Sequence, residues 1–61
     1  MDAAHEKNLN SLHDQFEGKH EAEHIADTYE KTVKMFPEFS HDELLEQAEK
    51  RLKTELIKTV D

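Results

Sequence analysis

His13, Glu17, His20, His24 and Asp27 recur at i, i+4, i+7, i+11 and i+14. On a continuous helix that spacing gathers imidazoles and carboxylates within an arc of about 80°. Neutral imidazole nitrogens one turn apart are ligands for Zn²⁺, Cu²⁺ or Ni²⁺, with a carboxylate or a second chain completing the sphere. His13, Glu17, His20 and His24 are therefore a candidate site for zinc or another divalent metal. The competing expectation is a solvated face, because the ladder lies roughly opposite a stripe made by Ile25, Tyr29 and Val33.

The segment His20-Glu21-Ala22-Glu23-His24 also satisfies H-E-x-x-H, in which the glutamate activates a zinc-bound water. That chemistry needs a third ligand, a substrate cleft and a larger domain, and Lys19 and Glu23 make this segment polar. No Ser, Thr or Tyr stands in a nucleophile motif, and the single glycine rules out a glycine-rich phosphate loop. The expectation is that the protein is not an enzyme and has no cofactor, the divalent metal being the alternative.

Fifteen acidic residues against eight basic ones give a formal charge of −7, which disfavours direct nucleic-acid binding and favours a partner with a basic surface. An acidic mimic of nucleic acid is a further alternative; it would occupy the basic groove of a DNA-binding protein with steep salt dependence. The charge is unevenly placed. Asp2, Glu6, Asp14, Glu17, Glu21 and Glu23 face only Lys7 and Lys19 in the first part of the chain, whereas Lys50, Arg51, Lys53 and Lys58 cluster near its end. With no cysteine there is neither a disulfide framework nor a thiolate metal site. No apolar run approaches a membrane span, and the first residues lack the basic and apolar regions of a signal peptide, so a soluble, cytoplasmic protein is expected.

The elements that must position these side chains are helices. Gly18 and Pro37 are the only strong punctuators, and they divide one domain, residues 1–61, into predicted helices at about 3–17, 19–35 and 41–60. The fold class expected is all-α, a small three-helix bundle. Because glycine costs only about 1 kcal/mol inside a helix, the alternative is a long helical hairpin that dimerises into a four-helix bundle. Leu9, Leu12 and Phe16 mark a narrow face of the first helix; Ala22, Ile25, Ala26, Tyr29, Val33 and Phe36 span about 100° of the second. Ser40 and Glu43 form a capping box before the third helix, with Phe39 and Leu44 as its hydrophobic staple.

Met35-Phe36-Pro37 ahead of a leucine-bearing helix resembles the start of ubiquitin-binding CUE domains, in which such a tripeptide ends the first helix and contacts ubiquitin. The likeness extends to Leu45 and ends there, since no Gly or Asn supplies that family's next helix break. Glu21 to Tyr29 resembles the second helix of a rubrerythrin-type ferritin, from which nothing is carried over.

In the third helix Leu44, Leu45, Ala48, Leu52, Leu56 and Val60 spread over roughly 160°, with Ile57 wider still. That stripe either sits between two helices or awaits a partner. The expected function is a small acidic interaction module, an inhibitor, adaptor or regulatory subunit, binding another protein through helix three and an acidic surface. Candidate contacts are Leu45, Leu52, Leu56, Ile57, Phe36 and Phe39, and a weak homo-oligomer is expected from the same stripe.

Overall fold

The boundaries of the three helices follow from local chemistry at each end. A computed structural model describes residues 3–58, with side chains described as far as Leu56. It contains α1 (Ala3–Phe16), α2 (Ala22–Met35) and α3 (His41–Lys58). The predicted end of the third helix, at residues 59 and 60, lies outside the described residues.

Gly18 stops α1 by adopting φ +80°, a left-handed conformation that only glycine takes without strain. The N–H groups of Lys19 and His20 then both turn onto the Phe16 carbonyl, at 2.9 and 3.2 Å. Residues 19 and 20 thus serve the corner, and α2 starts at Ala22 rather than at the predicted Lys19. The long-hairpin alternative fails here, because its continuous helix through Gly18 does not exist. At the other end of α2, Phe36 lies at φ −127°, ψ 65°, outside helical geometry, as the residue before a proline must.

The capping box at the start of α3 is formed in both directions. The Glu43 N–H donates to Ser40 Oγ at 3.3 Å, and the Ser40 N–H donates to Glu43 Oε1 at 3.1 Å. Phe39 packs against the core cluster that contains Leu44, and it stacks on Phe36 with ring centroids 4.6 Å apart.

All three helix pairs touch, which makes a three-helix bundle in which α2 runs antiparallel to its neighbours. The core comprises Leu12 and Phe16 of α1, Ile25 and Tyr29 of α2, and Leu44, Ala48 and Leu52 of α3. Leu9, Val33, Phe36, Phe39, Leu45 and Leu56 pack around it. The width of the α3 stripe is explained by position, since this helix lies against both others. The buried face of α2 is rotated from its apolar stripe: Thr28 and Thr32 are buried along with Ile25 and Tyr29, at i, i+3, i+4 and i+7. Thr32 Oγ1 donates to the Thr28 carbonyl at 2.8 Å, so its hydroxyl is satisfied within its own helix while the residue is buried.

Two substitutions test these boundaries. Ser40→Ala should cost about 1 kcal/mol and Ser40→Gly only a few tenths, because glycine retains the cap conformation. Gly18→Ala should cost about 1 to 2 kcal/mol from backbone strain alone, since a Cβ there meets nothing within 4 Å. Urea midpoints read by circular dichroism measure both, and an unchanged midpoint in either variant contradicts the assigned helix end.

Candidate functional site

The predicted metal ladder is divided by the Gly18 corner. His20 follows the break and His13 precedes it, so their side chains no longer follow one helical period. His13, Asp14, Glu17, Gly18 and His20 line one shallow cleft, and Glu21, Glu23, His24 and Asp27 line another. His20 Nε2 donates to the Leu52 carbonyl at 3.0 Å, and His24 Nε2 bonds Glu55 Oε2 at 2.7 Å. The His20 ring lies 5.8 Å from Phe16 and 5.2 Å from His24, centroid to centroid. These two histidines tie the Gly18 corner and α2 to α3. Among the described residues no three of His, Asp or Glu are arranged to hold a metal ion.

Of the predicted protein contacts on α3, Leu52 turns inward, and Leu45 and Leu56 pack around the core. Leu52 is 0% exposed and belongs to the core; a partner reaches it only if the bundle opens. Leu45, Leu56, Phe36 and Phe39 are half-buried against that core, and the side chain of Ile57 lies outside the described residues. Among the described residues the large apolar side chain that is exposed is Met35, at 53%, whose sulfur accepts a hydrogen bond from Arg51 Nη1 at 3.4 Å.

The polar centre of the molecule lies at the opposite end from Gly18, on residues that the sequence reading did not select. Asn8 is only 7% exposed. Its amide nitrogen donates to the Tyr29 hydroxyl at 3.0 Å and to the His41 carbonyl at 2.9 Å. A carbonyl can only accept, so the atom facing it must be nitrogen. With the phenol oxygen accepting from Asn8, the phenol proton is left for its other neighbour, His5 Nδ1, at 2.6 Å. His5 therefore accepts at Nδ1 and carries its proton on Nε2. The His41 ring stands edge-to-face on His5, 4.8 Å away. No buried side-chain nitrogen or oxygen among the described residues lacks a partner. A signal for this cluster was present: Asn8 stands one turn before Leu12 on the face that carries Leu12 and Phe16.

The remaining surface is dominated by carboxylates. Glu6, Asp14, Glu17, Glu21, Glu23, Glu38, Asp42 and Glu46 are exposed and make no ion pair among the described residues. Asp27 pairs with Lys31 at 3.1 Å and Glu30 with Lys34 at 3.3 Å, both exposed and one turn apart. Such pairs contribute only about 0.3 to 0.5 kcal/mol each. Lys50, Arg51 and Lys53 are exposed on α3. Among the described residues no helix is long and apolar enough to cross a membrane.

Comparison with known proteins adds no relative: no family model, no curated protein and no solved structure matches the chain.

The cluster gives a direct expectation. Tyr29→Phe should retain the helices and cost about 1 to 3 kcal/mol, since it leaves a buried Asn8 N–H and the His5 nitrogen without their partner. Nitrogen-detected NMR of the wild-type imidazoles at mildly alkaline pH should show His5 as the Nε2–H tautomer. A Nδ1–H tautomer there would contradict the assigned direction of the Tyr29 hydrogen bond.

Proposed function

We propose that this chain is a non-catalytic helical interaction module that engages a basic surface of another protein. The observation that supports it most is the field of exposed carboxylates on α1, α2 and the first turns of α3, which lack ion-pair partners among the described residues. A net charge of −7 on so small a body steers a cationic partner from a distance, and it raises the association rate more than the final affinity. The bundle supplies the carboxylates on rigid helices, so little side-chain ordering beyond the rotamers themselves opposes binding. Apolar contact is the smaller component. It falls to exposed Met35 and to the outer edges of Leu45, Leu56, Phe36 and Phe39, since Leu52 is consumed by the core.

The outward charge also argues for a regulatory use such as inhibition or adaptor binding, in which a folded acidic body covers a cationic surface reversibly. Affinity capture with the wild-type chain, repeated with a Glu17→Gln, Glu21→Gln, Glu23→Gln variant, tests the proposal. The proteins retained should be basic, should be released as salt rises from about 0.05 to 0.5 M, and should be lost with the variant. Retention of the same proteins by the variant in high salt would defeat the electrostatic reading.

A further inference from the structure

We propose that Met35 is a site of reversible oxidation: hydrogen peroxide converts its thioether to the sulfoxide, and Arg51 holds the new oxygen. The exposed tip of α2 then changes from apolar to polar while the bundle stays folded. The inference concerns these two side chains and does not rest on the identity of any partner.

Access comes first. Met35 is the last residue of α2 and is 53% exposed, outside both the buried core and the apolar side chains packed around it. Peroxide dissolved in water therefore reaches the sulfur without any opening of the bundle. Oxidation of a core methionine forces a polar oxygen into apolar surroundings and disrupts the packing. That cost is absent here, because the side chain already stands in water.

The step balances with peroxide alone. A lone pair of Met35 Sδ attacks one peroxide oxygen, an S–O bond forms and the O–O bond breaks. The departing oxygen takes the proton of the transferred one and leaves as water. Sulfur is oxidised by two electrons and the peroxide is reduced by two. A dithiol-dependent methionine sulfoxide reductase reverses the change, releasing the oxygen as water while its dithiol becomes a disulfide.

Arg51 distinguishes this methionine from any other exposed one. Its Nη1 donates to Met35 Sδ at 3.4 Å, which links the end of α2 to α3. A thioether is a weak acceptor, whereas the guanidinium carries five N–H donors and stays charged. Arg51 makes no ion pair among the described residues. The carboxylates that line the same cleft are engaged elsewhere, Asp27 with Lys31 at 3.1 Å and Glu55 with His24 at 2.7 Å. Guanidinium donors are thus left for a better acceptor. A sulfoxide oxygen is one, and the rotatable bonds of methionine let it turn onto the guanidinium. The resulting bond is charge-assisted and stronger than the one it replaces. Oxidation therefore tightens the contact between α2 and α3 instead of breaking it.

The test treats the full chain with hydrogen peroxide, locates the added oxygen by peptide mass spectrometry, and compares urea midpoints of oxidised and untreated protein by circular dichroism. The wild-type midpoint should rise on oxidation by roughly 0.3 M or more, and return after treatment with the reductase. In Arg51→Leu the rise should vanish, each variant being compared with its own untreated form. Met35→Leu controls for oxygen added at Met1, which lies outside the described residues, and its midpoint should not move. If Arg51→Leu does not fold, the guanidinium is read directly in the wild type by NMR, where exchange of the Arg51 N–H groups with water should slow on oxidation. A Met35 that stays reduced, a wild-type midpoint that does not rise, the same rise in either variant, or unchanged Arg51 exchange would each overturn the proposal.

Discussion

The side chain of Asn8 is the constraint on which the arrangement of the three helices depends. It sits on α1, donates to a hydroxyl of α2 and to a backbone carbonyl at the start of α3, and is almost fully removed from water. Apolar contacts alone let helices slide and rotate at small cost, because one methylene packs much like another. A buried amide with two fixed acceptors does not. Moving α1 by one residue would leave a buried donor unpaired, at about 1 to 3 kcal/mol, which is a large fraction of the margin available to so small a domain.

The second constraint is the pair of corners. At one, Gly18 takes the left-handed conformation and the Phe16 carbonyl gathers two N–H groups. At the other, Pro37 forces Phe36 out of α2, and Phe36 then stacks on Phe39 beneath the capping box of Ser40 and Glu43. Each corner is closed by an aromatic residue that covers the end of the core. Histidines complete both seams, with His20 and His24 at the first and His5 at the second. The helices are thus joined at their ends by polar contacts and along their middles by Leu12, Ile25, Ala48 and Leu52.

Much of this fold was legible in the sequence where a residue type has one physical use. Proline ended α2, and Ser40 with Glu43 fixed the start of α3 to the residue. The three-helix class followed from those markers and the apolar periods. The buried face of α2 was less legible, because Thr28 and Thr32 count as polar by composition, yet Thr32 satisfies its hydroxyl on its own helix and is buried. The start of α2 was missed for a similar reason: Lys19 and His20 are acceptable helix residues, and it is the bonds of their N–H groups to the Phe16 carbonyl, with the tertiary bond from His20 to Leu52, that show why they belong to the corner. The candidate site was least legible of all. Spacing drew attention to His13 and Glu17, whereas the histidine with the most constrained role is His5, whose partners lie in other helices. Pairings across 21 to 33 residues leave no local pattern to read.

Charge and core pull against each other in this chain. A net charge of −7 on a body with seven buried apolar residues among those described opposes compaction through self-repulsion. The placement of the charges lessens that cost: acids stand in the first turns of all three helices, while Lys34 ends α2 and Lys50, Arg51 and Lys53 lie in the later part of α3. The same placement keeps carboxylates exposed rather than neutralised by cross-helix pairs. A hydrophobic cluster this small tolerates a strongly charged exterior only if helix geometry is fixed by something more directional than apolar packing. The Asn8 and Tyr29 hydrogen bonds provide that direction, and they do so with groups that add no charge of their own, so the surface remains free to carry the charge on which binding would depend.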